Sequence, residues 1–96
     1  MLVLVTYDVS TTTQEGRARL RAVASACLDY GQRVQNSVFE CNVNMEQWTR
    51  LRLRLLGLIE LKEDSLRFYL LGTNWRRRVE HHGTKPSRDL EGPLIV

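Results

Sequence analysis

Apolar residues open this chain as a block. Leu2 to Val9, LVLVTYDV, begins with four consecutive apolar residues and closes on Tyr7-Asp8-Val9. This is the pattern of a Val-rich strand buried on both faces at a sheet centre. Polar Ser10 to Gln14 follow, so Asp8 stands where a buried strand emerges into solvent. Strand ends of that kind carry ligands and chemistry in many α/β proteins, and they equally carry Asp as a turn former. Thr12 and Glu15 have the T-x-x-E spacing of a capping box and predict a helix beginning near Thr13. Inside it Leu20, Val23, Ala24, Cys27 and Leu28 recur at i, i+3, i+4, i+7 and i+8, one apolar face, and Gly31 marks the stop.

Arg33 to Val43, RVQNSVFECNV, alternates loosely between polar and β-branched or aromatic residues. It reads as one strand, or as a short hairpin broken near Asn36-Ser37. Asn44 and Gln47 then offer a second cap for a helix over 45–59. The LRLRLL run inside it alternates like a strand, but Leu and Arg are helix formers and no β-branched apolar residue occurs from Met45 to Leu58, so helix is preferred. Trp48, Leu51, Leu55, Leu58 and Ile59 line its predicted buried side. Ser65 to Leu71 is a strand with Leu66, Phe68 and Leu70 on one face, ended by Gly72-Thr73-Asn74. The order strand, helix, strand or hairpin, helix, strand is the α+β plan of a ferredoxin-like sandwich. Its two helices cover one face of the sheet. The other face, expected to carry Phe39 and aliphatic residues, would be a large apolar patch, and a homodimer through that sheet face is expected.

The chain thus divides into a ferredoxin-like domain, 1–74, and an extension, 75–96, too polar for a core element and assigned to partner or dimer contacts. Gly92-Pro93 introduces an apolar end, Leu94 to Val96, suited to docking as an added strand on a sheet edge.

Composition narrows the function class. Twelve of the fourteen basic residues are arginine and the net charge is +3. Arginine pairs bidentately with phosphate, so this bias leans toward nucleic acid, with a solvated basic surface as the alternative. Arg17, Arg19 and Arg21 leave the first turns of the first helix, where cations oppose the helix dipole. A solvated helix face is the plain reading of these three, and their placement suits a use such as binding phosphate. Trp75 followed by Arg76, Arg77 and Arg78 joins an aromatic to three cations, a candidate phosphate-backbone contact. Cys27 and Cys41 show neither metal spacing nor a disulfide framework and fit a reducing, cytoplasmic setting. No apolar run is long enough to span a membrane, and no charged region precedes the first apolar stretch as a secretory signal requires.

The N-terminal strand ending Tyr7-Asp8, the turn leading into GRARLR, the RVQNSVFE segment and the basic-aromatic stretch together resemble the CRISPR-associated protein two family. Members are the small adaptation partners of the CRISPR integrase, protein one. The C-terminal GTKPSRDLEGPLIV looks like the subtype that accompanies type I-C-like systems. The resemblance spans essentially the whole chain. It implies a ferredoxin-like homodimer whose strand-end aspartates, here Asp8 from each chain, face one another across the dyad. It further implies a Mg2+-dependent endonuclease acting on RNA or double-stranded DNA, and a bridge holding integrase dimers and duplex DNA during spacer acquisition. By match of motif Asp8 is the catalytic residue and the metal ligand. Tyr7, Arg33 and Phe39 lie near the site, and Arg17, Arg19 and Arg76 to Arg78 bind nucleic acid. The chemistry is coherent: magnesium held by carboxylates polarises a phosphodiester and activates water, and only a pair of chains supplies two aspartates. A non-catalytic DNA-binding adaptor and a generic ferredoxin-like RNA-binding module are the alternatives.

Overall fold

A computed structural model describes residues 1–83 of the chain. The elements run β1 (Leu2–Asp8), α1 (Gln14–Leu28), β2 (Gln32–Gln35), β3 (Val38–Asn42), α2 (Met45–Leu58) and β4 (Ser65–Gly72), then a 3-10 turn, Trp75–Arg77. The strands form one antiparallel sheet in the order β2-β3-β1-β4. This is the α+β ferredoxin-like plan expected from the pattern, with the 33–43 segment resolved as the hairpin. Asp8 pairs with Ser65 at one end of the β1–β4 ladder, and Leu2 pairs with Gly72 at the other.

The core lies between the sheet and the two helices. Val3, Val5 and Tyr7 of β1 point into it, as period-two alternation requires, and meet Val23, Ala26 and Cys27 of α1 and Trp48, Leu51 and Leu55 of α2. Trp48 meets Phe68 of β4 edge-on, ring centroids 4.8 Å apart, an arrangement that adds to simple burial. Leu4 and Thr6 face the other way and are half-buried. So β1 is the central strand, sealed along its helix side and covered only in part on the other.

The helix ends follow local chemistry. Asn44 and Gln47 make the anticipated capping box, with bonds of 2.8 and 2.9 Å. For α1 the cap is Thr13 rather than Thr12: its hydroxyl accepts the Gly16 N–H at 3.0 Å, while the Thr12 hydroxyl pairs with that of Ser10 at 3.2 Å. The shift suits Gly16, because a Cβ there would run into the Ser10 carbonyl oxygen. The β1–α1 loop therefore lies directly on the first turn of α1. Gly31 stands beyond the helix end, where a Cβ would strike the Glu40 carbonyl and Cys41; it serves close approach rather than a left-handed turn.

Three expectations need correction. Phe39 is not on the open face; it is fully buried against the helices, because it pairs with Val5 in register and shares that residue's side of the sheet. Leu70 does not join Leu66 and Phe68 inside; a register irregularity beside its partner Val3 and its place on an edge strand leave it 61% exposed. The stretch after β4 was expected to be too polar for a core, yet Trp75 is buried. Trp75 and Val79 lie along the open face with Leu4, Thr6 and Val38, lining a groove of about 1200 Å³. The Leu94–Val96 end falls outside the described residues.

Gly16→Ala is expected to destabilise the fold by about 1–3 kcal/mol through this backbone clash. Gly57→Ala, where a Cβ meets nothing within 4 Å, is expected to gain about 0.5–1 kcal/mol. Urea unfolding of the two variants beside the parent chain checks the contrast.

Candidate active site at the end of the central strand

β1 leaves the sheet at Asp8, an exposed residue on the side opposite the helices. A shallow depression of roughly 340 Å³ surrounds it, lined also by Thr6, Tyr7, Ser37, Val38, Ser65, Arg67 and Tyr69. Arg67 pairs with Thr6 across the ladder and donates to the Tyr69 hydroxyl at 3.3 Å. The depression therefore contains a carboxylate, a guanidinium and three hydroxyl side chains from serine and threonine. Arg67 is a candidate the sequence reading missed. The signal was its place one residue before Phe68, which puts it on the opposite face to that core residue.

Tyr7, Arg33 and Phe39 form a cluster, and Tyr7 also borders the Asp8 depression. Tyr7 and Phe39 stack with centroids 6.1 Å apart, and the Arg33 guanidinium carbon lies 5.1 Å from the Phe39 ring centroid. The Tyr7 hydroxyl reaches the Asn36 carbonyl at 3.5 Å, and burial pushes its pKa up. These residues support the strand end and the β2–β3 hairpin from the core side.

Arg19 was expected to contact nucleic acid. Its Nε donates to Asp64 Oδ2 at 2.9 Å, and its Nη2 to Asp64 Oδ1 at 3.3 Å and to Glu63 Oε2 at 3.1 Å. The Asp64 side chain is inaccessible to solvent, and that of Arg19 is 19% exposed. Asp64 also accepts the backbone N–H of Ser10 at 3.0 Å and of Glu60 at 2.8 Å. The Arg19 hydrogen bond is the main cause that holds the Asp64 pKa below the ordinary carboxylate value, aided by the two backbone donors and opposed by burial. Asp64 appeared in the sequence only as part of a polar turn. Its partners Arg19 and Ser10 lie 45 and 54 residues away, so no local spacing announces them.

The remaining arginines sit elsewhere on the surface. Arg17 is exposed and donates to the Thr11 carbonyl at 3.2 Å. Arg76 lies over the Trp75 ring at 4.8 Å, Arg77 is exposed, and Arg78 donates to the Leu71 carbonyl at 2.9 Å. Cys27 and Cys41 are free and buried, and burial pushes both thiols up to about 12. They are core residues rather than nucleophiles.

One chain offers little to a metal. Among the described residues no group of three or more His, Cys, Asp or Glu could hold one. Asp8 supplies a hard carboxylate donor, and Mg2+ commonly binds through one or two carboxylates while keeping several waters. The donor chemistry fits that ion when two Asp8 side chains converge, and a single chain falls short.

An antiparallel ferredoxin-like sheet with one helix-covered face, and an acidic strand end on the other, defines the structural class. Residues 1–79 match the family described as CRISPR associated protein Cas2, and the chain belongs to that family. A relative from Chlorobaculum tepidum, named CRISPR-associated endoribonuclease Cas2, is 64% identical over 96 residues, covering 100% of both chains. One from Halalkalibacterium halodurans, named CRISPR-associated endonuclease Cas2, is 61% identical over 95 residues, covering 99% of each. Among solved structures, Streptococcus pyogenes Cas2, crystallised at pH 6.5, aligns with a TM-score of 0.74 and 61% identity, over 86% of this chain and 100% of that one. Among the described residues no helix is long and apolar enough to cross a membrane.

Because the Asp64 carboxyl is held below its ordinary value of 3.8, its contribution to stability is complete above that value and lost as pH falls through the folded-state value. Urea unfolding from about pH 7 to about pH 3 is expected to show a steeper acid loss in the parent than in Asp64→Asn, which is already destabilised at neutral pH. Parallel pH profiles contradict the assignment.

Proposed function

We propose that the chain is a metal-dependent nuclease of nucleic-acid phosphodiesters, working as a homodimer with Asp8 of each copy in one shared site. The observation that carries this reading is that Asp8 lies at the open-face end of the central strand, where two copies packed by that face can bring their carboxylates together. The open face also carries the half-buried Leu4, Val38 and Val79, apolar surface that a second copy covers.

Mg2+, when bound, would supply charge to polarise the phosphodiester and make water a better nucleophile. Asp8 of each copy would hold the ion. Two such carboxylates brought together without a cation repel one another, which favours uptake of the ion. Arg67, in the same depression, offers planar paired donors to a phosphate oxygen, the geometry in which guanidinium recognises phosphate best. Arg17 and Arg76 to Arg78 lie outside that depression and are assigned to the nucleic-acid backbone.

The two relatives quoted differ in whether their names specify RNA, at nearly equal identity to this chain, so similarity does not choose between RNA and DNA. A second reading has its own support. The exposed Arg17 and the arginine run beginning at Arg76 suit an adaptor that bridges integrase dimers on duplex DNA and needs no cleavage.

Asp8→Asn is expected to lower cleavage by at least about 100-fold, since even residues beyond the ligand shell cost 10–100-fold. Stability should change by less than about 0.5 kcal/mol, because Asp8 is exposed. Chelation should abolish activity in the parent and added Mg2+ restore it. Single-stranded RNA and duplex DNA assayed side by side check both points. Undiminished cleavage by Asp8→Asn contradicts the nuclease site, and spacer acquisition by a cleavage-dead variant favours the adaptor.

A further inference from the structure

Asp8 is exposed, so its direction is set by the chain on either side of it. Two residues on, the Ser10 N–H is held by Asp64 Oδ1 at 3.0 Å. Across the ladder Asp8 pairs with Ser65, the residue that follows Asp64. A single carboxylate is thus bonded to one flank of Asp8 and adjacent in sequence to the other. The same carboxylate accepts the Glu60 N–H at 2.8 Å, which ties in the segment after α2, and Arg19 clamps it from α1 through Nε at 2.9 Å and Nη2 at 3.3 Å. The Asp64 side chain is shielded from solvent, and a desolvated carboxylate is tolerable only while its oxygens are well partnered. Four donors meet that need: one is the Glu60 N–H of Asp64's own turn, and the other three require the Ser10 loop and α1 to converge on it.

Arg19 is committed to this cluster. Its Nε and Nη2 are taken up by Asp64 and Glu63, and pulling it away to a phosphate would leave Asp64 buried without its cation. That step is costly.

We infer that Asp64 and Arg19 are positioning residues, which set the Asp8 strand end through the Ser10 loop and the start of β4, and that Arg19 is not a phosphate contact. The inference deepens the nuclease reading and rests on it for the role of Asp8. It reassigns an arginine at the head of α1 from ligand to scaffold, and it leaves Arg17, which is exposed on the same turn, as the α1 candidate for the nucleic-acid backbone.

The test compares Arg19→Ala, Arg19→Lys, Asp64→Asn, the Arg19→Ala/Asp64→Asn double variant and Arg17→Ala in the full chain. Three readouts are taken: cleavage rate, Mn2+ affinity by electron paramagnetic resonance, and the salt dependence of binding to a short DNA duplex. The clamp predicts Mn2+ binding about 10–100-fold weaker in Arg19→Ala and in Asp64→Asn, with kcat falling and KM unchanged. The double variant should be no worse than the poorer single, as for groups that act as one unit. Arg19→Lys should stay impaired, because an ammonium cannot replace the guanidinium fork. The slope of log affinity against log salt should stay that of the parent in every Arg19 and Asp64 variant, while Arg17→Ala lowers it by about one. The inference is overturned if Arg19→Ala lowers that slope by about one, or if Asp64→Asn binds Mn2+ and cleaves like the parent. Where Asp64→Asn does not fold, Arg19→Lys decides: rescue to parent behaviour overturns the clamp. The metal and duplex readouts need no cleavage, so a parent chain that binds Mn2+ and cuts nothing overturns the nuclease reading alone.

Discussion

A buried carboxylate at Asp64 is the constraint on which the working end of this molecule depends. It is inaccessible to solvent, and an ionised group in that position has to be hydrogen-bonded and paired to be tolerated. Its donors come from the loop after β1, from α1 and from the segment after α2. Only Arg19 comes from within a regular element, α1; the other two donors belong to loops. The demand of one charge for partners therefore does what secondary structure does elsewhere: it closes the strand-end loops into one arrangement. The glycine at position 16, which lets the Ser10 carbonyl lie against the first turn of α1, makes that closure sterically possible.

The central strand passes this order to two different surfaces. On the helix side Val3, Val5 and Tyr7 build the core, with Phe39 beside Tyr7 and Arg33 over Phe39. On the open side Leu4 and Thr6 lead to Asp8 and its neighbour Arg67. Residues adjacent in sequence thus do unlike work. Tyr7 is packed and desolvated, and Asp8 is presented. An aromatic-acid pair at the end of a buried strand delivers both, because the pleat turns successive side chains to opposite faces.

Much of this was legible in the chain. The apolar block at Leu2–Val5, the i, i+3, i+4 face of the first helix and the Asn44–Gln47 box each answer to local rules, and together they predict the ferredoxin-like order. Asp8 stood out because a polar run follows a buried strand. Legibility failed where the cause was not local. Phe39 was assigned to the wrong face because RVQNSVFECNV spans two strands and a register irregularity between Arg33 and Gln35, so a single alternation cannot be carried through it. Trp75 was judged by its arginine neighbours, although one large apolar ring can be buried while the residues after it stay wet. Asp64 and Arg19 were invisible as a pair because 45 residues separate them and each alone reads as surface charge. The family resemblance identified Arg19 as notable, and only the geometry shows what it touches.

The central claim is that Asp8 is half of a metal site completed by a second copy of the chain. Counting bound Mn2+ by electron paramagnetic resonance, with the oligomeric state of the same sample measured by light scattering, tests it most directly. The account predicts one ion per two chains, bound by the dimer and lost in Asp8→Asn. One ion per chain, binding that persists on a monomer, or binding indifferent to Asp8→Asn contradicts it.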